Sequence, residues 1–143
     1  MFPIQIETRA SDGARQMFSL EVLGKSDAEL LIQVFDPGEA DFFEARFVRF
    51  GGDSLRSDML RTHSTRYSGK GITTALFKMI VRVTGLAILS SSNKNQGNGE
   101  FRSIDMDRIW RHYVNTRRAT YDAGTDRFRW TTDTPTQSSP STA

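Results

Sequence analysis

Residues 67–77, Tyr67-Ser68-Gly69-Lys70-Gly71-Ile72-Thr73-Thr74-Ala75-Leu76-Phe77, run a glycine-rich turn straight into an amphipathic stretch. Glycines at 69 and 71 let the backbone turn tightly and approach a ligand closely. The unbonded N–H groups of the helical turn that follows form an anion site. A phosphate-bearing ligand suits this arrangement. The stretch is not a dinucleotide fingerprint, because the third glycine is missing, nor a P-loop, because no Gly-Lys-Ser/Thr ends it.

Few other residues could do chemistry. His63 and His112 are the only histidines, and neither has the spacing of a metal ligand, so no metal is expected. Ser90-Ser91-Ser92 could line a substrate channel, but no Ser, His and acid constellation accompanies them, which argues against hydrolase chemistry. Cysteine is absent, which excludes disulfides, thiolate nucleophiles and Cys-based zinc sites.

The elements around the turn follow from periodicity. Leu76, Phe77, Ile80, Val81 and Val83 recur at helical spacing, with Lys78 and Arg82 opposite, and Thr84-Gly85 closes that helix. Leu86-Ala87-Ile88-Leu89 is apolar on both faces and reads as a buried strand, while 57–64 supply the strand before the turn. The centre of the chain is therefore expected to be a βαβ unit with its anion site at the carboxyl edge of the first strand. A second helix starts at Ser103, a good N-cap, with Asp105 and Asp107 against the positive end of its dipole and Met106, Ile109, Trp110, Tyr113 and Val114 as its apolar face. Upstream, Ile4–Glu7, Met17–Leu23, Leu30–Phe35 and Phe42–Phe50 read as antiparallel strands separated by Asp- and Gly-rich turns, with a helix over 26–31 as an alternative. A hairpin is expected over 118–131, with its loop at Ala123-Gly124-Thr125-Asp126.

The turn and its flanks resemble the GNAT family of N-acetyltransferases, whose acyl-CoA loop follows the pattern Gln/Arg-x-x-Gly-x-Gly/Ala between a strand and a helix. Arg66-Tyr67-Ser68-Gly69-Lys70-Gly71 matches letter for letter; Ser68-Gly69-Lys70-Gly71-Ile72-Thr73 has the preceding aromatic and the helix phase, and is preferred. The resemblance covers roughly residues 57–131. It implies a mixed, mostly antiparallel α/β sheet with two main helices, and acetyl-CoA as co-substrate. The pyrophosphate would lie on the stretch Arg66, Tyr67, Ser68, Gly69, Lys70, Gly71, Ile72, Thr73 and Thr74, and the pantetheine arm would pair with the splayed strand before it. The resemblance also implies a proton donor for the departing thiolate on the second helix, where Trp110 stands at the usual Tyr position. Tyr113, or His112, would then serve. His63, just before the turn, would take the proton from the amine, with Asp58 and Glu44 as rival bases.

At 143 residues and 37% hydrophobic, the chain is expected to form a single domain over 1–131, with a disordered Thr-, Ser- and Pro-rich tail over 132–143. No apolar run is long enough to span a membrane and no signal peptide is recognisable, so a cytoplasmic protein is expected. The net charge of +2 hides an acidic group, Asp27 to Glu44, and basic residues around the turn, Arg56 to Arg82. Two functions stay open. One is acetyl transfer to a primary amine of a small molecule or protein. The other is a non-catalytic protein of the same fold that binds a host protein, as the likeness to minimal phage-encoded members implies. Nucleic-acid binding is disfavoured because aromatic and basic residues do not interleave, and a homodimer is left open.

Overall fold

A computed structural model describes residues 4–62 and 65–131. The chain opens with five strands, β1 (Ile4–Arg9), β2 (Arg15–Lys25), β3 (Glu29–Phe35), β4 (Phe43–Phe50) and β5 (Ser54–Thr62). Each pairs antiparallel with the next. Helix α1 (Ile72–Thr84), strand β6 (Ala87–Ser90), helix α2 (Ile104–Asn115) and the hairpin β7 (Ala119–Asp122) and β8 (Arg127–Trp130) complete the fold. Together they make one eight-stranded mixed sheet in the order β1-β2-β3-β4-β5-β6-β8-β7. Among the described residues its one parallel contact is β5 with β6.

Alternation in the N-terminal strands sets the register. Ile6 faces Phe18, Leu20 faces Val34, Val34 faces Phe43 and Ile32 faces Ala45, so one sheet face carries a continuous apolar surface. Both helices cover that face. Phe77 of α1 is completely buried, with its ring 6.0 Å from Phe47, 5.3 Å from Trp110 and 5.4 Å from Trp130. Trp110 in turn stacks on Phe128 at 5.8 Å. These rings lock α1, α2 and the sheet together, and truncating Phe77 to Ala would cost about 3–5 kcal/mol.

Local signals explain the ends. Gly85, in the left-handed region at φ 71, closes α1 by donating its N–H to the Val81 carbonyl. Ser103 caps α2, its hydroxyl accepting from the Met106 N–H. The alternative helix over 26–31 does not form: the Ser26 hydroxyl accepts from the N–H groups of Ala28 and Glu29 and turns the chain directly into β3. β5 begins three residues earlier than the reading from Ser57, and those added residues, together with Ser57, pair with β6. Among the described residues no helix is long and apolar enough to cross a membrane. The tail 132–143 lies outside the described residues.

Candidate functional site

The parallel pair β5 and β6 runs in register from Ser54↔Ala87 to Ser57↔Ser90 and then parts. β6 ends at Ser90, whereas β5 continues to Thr62 with its other side still on β4. From Asp58 to Arg61 the β6-facing edge of β5 therefore has no strand beside it among the described residues. A register shift between Arg46 and Phe47 leaves Asp58 as the extra residue of a bulge at the start of this free edge. The Ser91 hydroxyl donates to the Ser57 carbonyl at 3.0 Å and marks the point of parting.

The glycine turn is the next feature of the chain before α1. Thr65–Tyr67 form a short 3-10 turn, and Gly69 and Gly71 follow with φ 67 and 79 in the left-handed region. Gly71 caps α1 without any side-chain hydrogen bond, and no acidic residue sits in the helix's first turn. The amides of Ile72, Thr73 and Thr74 have no partner within the helix by its geometry, and the dipole makes this end positive.

The side chains of the predicted loop differ in what they do. Tyr67 is buried against the β3–β4 connection, donating its hydroxyl to the Asp41 carbonyl at 2.9 Å and accepting from the Asp36 N–H at 3.1 Å. Arg66 pairs with Glu39 at 2.9 Å and Asp41 at 3.3 Å, so its guanidinium ties the turn to the β3–β4 connection. Ile72 is core, and the Thr74 hydroxyl lies 2.8 Å from that of Tyr113. Ser68 and Gly69 are exposed, while Lys70, Gly71 and Thr73 are half-buried. Two of the basic residues around the turn meet the acidic group, Arg66 as above and Arg61 on Glu44 at 2.9 Å, while Glu29 takes Arg46 at 2.6 Å.

A small cavity of about 10 Å³ opens where the strands part, with walls from Ser57, Asp58 and Leu60 of β5, Ser91, and Met106 and Trp110 of α2. Asp58 is half-buried there, paired with Arg56 at 3.0 Å. Tyr113 does not line this cavity; it is 4% exposed, and burial pushes its phenol up to about 12, offset in part by the bond with Thr74. His112 is exposed on the outer side of α2. His63 lies outside the described residues.

Behind the strand end sits a buried ionic network. Arg127 grips Glu100 through two bonds of 2.7 and 3.1 Å and donates to the Ser90 carbonyl. Arg102 donates to the Ser91 carbonyl and to the carboxylates of Asp126 and Asp107, at 2.8, 2.8 and 3.0 Å. Burial alone would raise these carboxyls. The Arg102 guanidinium, the Tyr121 hydroxyl and the Asn93 amide outweigh it at Asp126 and hold it down at about 2. Arg127 and the Ser92 amide likewise lower Glu100. Carboxylates held this firmly as anions anchor the 91–103 loop and do not accept protons near neutrality. Sequence reasoning missed them, since Glu100 and Arg127 lie 27 residues apart and no spacing rule joins them.

A larger cavity, about 740 Å³, opens around Leu89, Arg129, Phe50 and Lys94, away from the glycine turn. Among the described residues no three His, Cys, Asp or Glu side chains converge as metal ligands. Compared with protein-family models, curated proteins and solved structures, the chain matches none of them.

Proposed function

We propose that this chain is an acyl-CoA-dependent N-acetyltransferase of GNAT-like architecture, moving an acetyl group from acetyl-CoA to a primary amine of a small molecule or a protein. The observation that carries the reading is the parting of β5 and β6 beyond Ser57↔Ser90, with the glycine turn that opens α1 following directly after β5. The order that follows, β6, a loop, α2 and a closing hairpin, agrees with the family resemblance.

On this reading the free edge of β5 from Asp58 to Arg61 pairs with the amides of the pantetheine arm, and the pyrophosphate rests on the first-turn amides of α1. The thioester then lies beside the cavity at Ser57 and Asp58. The amine nitrogen attacks the thioester carbonyl carbon, the C–S bond breaks, and the thiolate leaves. Asp58, which lines the cavity, is the base we favour for the amine proton. The thiolate takes its proton from solvent; Tyr113, bonded through its hydroxyl to Thr74 and away from the cavity lining, is the alternative donor. Orientation of the two reactants supplies most of the acceleration.

The test is calorimetry with acetyl-CoA, followed by thiol release in the presence of polyamines, amino sugars and lysine peptides. Amine-dependent release of free CoA is expected. A folded protein that binds no acetyl-CoA and releases no thiol would end this reading.

A second reading is a non-catalytic protein of the same fold that binds a partner protein. The cavity of about 10 Å³, too small for an acyl chain without side-chain movement, favours it. Acetyl-CoA turnover separates the two.

A further inference from the structure

Two residues with buried, unbonded polar atoms line the cavity between β5 and α2. Among the described residues the Ser57 hydroxyl and the Trp110 indole N–H are buried without any hydrogen-bond partner, and both residues line the same small space. Ser57 is 5% exposed and Trp110 completely buried. An unpaired polar group in such a place costs about 1–3 kcal/mol, so two at one gap call for a shared occupant.

The chemistry of the walls restricts that occupant. Indole is a donor only, and a serine hydroxyl can donate, so together they suit an acceptor atom. The volume, about 10 Å³, holds one atom of water size. The remaining walls include Met59, Leu60 and Met106, and the Asp58 carboxylate on the rim disfavours an anion. Arg102, the cation at this wall, is already committed to the Ser91 carbonyl, Asp107 and Asp126. A neutral carbonyl oxygen fits all four conditions.

We infer that Ser57 and Trp110 form a two-donor niche for the carbonyl oxygen of an acyl thioester, entered from the free edge of β5. The inference rests on the acyl-CoA reading and deepens it by assigning the residues that recognise the acyl group itself. It also gives a role to the tryptophan on α2: its N–H cannot release a proton to a thiolate, but it can donate to the neutral thioester oxygen and so orient the carbonyl for attack.

The test compares acetyl-CoA with S-ethyl-CoA, which has the same length and no carbonyl, by calorimetry on the full chain. The parent is expected to bind acetyl-CoA about tenfold more tightly. Ser57→Ala and Trp110→Phe should lose that preference while keeping the S-ethyl-CoA affinity. Since Trp110→Phe also removes core volume, Ser57→Ala, which deletes a single oxygen, carries the test if the first variant is unstable. Ser57→Ala should also leave the melting temperature unchanged or raise it, because it removes an unpaired hydroxyl. Equal affinities for the two ligands in the parent, or a preference that survives in Ser57→Ala, would mean that the niche holds only water and would overturn the inference while leaving CoA binding intact. Binding of neither ligand would overturn it together with the acyl-CoA reading.

Discussion

Gly71 stands against the backbone of Arg9: a Cβ built on it would overlap the Arg9 carbonyl oxygen and lie 2.9 Å from the carbonyl carbon. The end of β1 is thus clamped onto the turn that starts α1, and glycine at this position is required by packing as well as by its φ of 79. A side chain at Gly71 therefore displaces β1 before it meets any ligand. Gly69 shares the left-handed conformation, but a Cβ there meets nothing within 4 Å. Gly69→Ala should cost about 1 kcal/mol from backbone strain alone. Gly71→Ala should add an overpacking cost of about 1–3 kcal/mol. Urea titration of both variants checks this, and equal costs would refute the clamp.

The acid limb of stability is set by the network behind β6. Asp126, held at about 2 against an ordinary value of 3.8, contributes stability that is complete above the unfolded value and is lost as pH falls towards the folded one. Glu100 and Asp107, both lowered once their arginine partners outweigh burial, act in the same direction. Melting temperature should fall steadily between about pH 5 and pH 2. Asp126→Asn should lose about 2 kcal/mol at pH 7 and almost nothing relative to the parent at pH 2. A variant whose deficit stays constant with pH would show that the carboxylate's charge is not what the loop depends on.

How far the sequence could be read depended on the range of each interaction. Alternation and Gly-Asp turns are local, and they placed β1 to β4 within a few residues; the apolar stripe of 76–83 and the Ser103 cap did the same for the helices. Ser26 was ambiguous because a hydroxyl that caps a helix also closes a turn, and only the pairing of β3 with β4 decides. Trp110 reads as core from its stripe, and it is core. What stayed hidden is long-range and polar: the Arg9 carbonyl under Gly71, Arg66 bent onto Glu39, and Glu100 folded back onto Arg127. In sequence these charges look like solvated surface, because the pairing of distant ions, and the burial of Glu100 with Arg127, depend on chain segments brought together by the fold.

Tyr113 belongs to the seam between the helices. Its ring lies 4.9 Å from Trp130 and its hydroxyl 2.8 Å from Thr74, and burial keeps the phenol protonated far above neutrality. Tyr113→Phe removes one buried hydrogen bond and should lower stability by about 1 kcal/mol. Turnover near that of the parent is the expected result, since the ring does not line the cavity. A fall of about 10²–10⁴ in the turnover number, with unchanged acetyl-CoA affinity, would instead make the phenol the thiolate's proton donor.

The anion site at α1 can be tested through two readouts that should move in opposite directions. Thr73 is the second residue of the helix, half-buried, in a first turn that lacks any acidic residue. A carboxylate placed there faces the positive end of the dipole and should stabilise the fold by about 0.3–1 kcal/mol. The same charge competes for the amides on which a pyrophosphate would rest and repels it. Thr73→Glu is therefore expected to melt at or above the parent's temperature while binding CoA at least about tenfold more weakly. Lys78→Gln, on the exposed side of the same helix, makes the same one-unit change in net charge and should bind within a few-fold of the parent. Weaker binding with lower stability would point to damage of the turn. Unchanged CoA affinity in a Thr73→Glu protein of normal stability would move the phosphates away from α1.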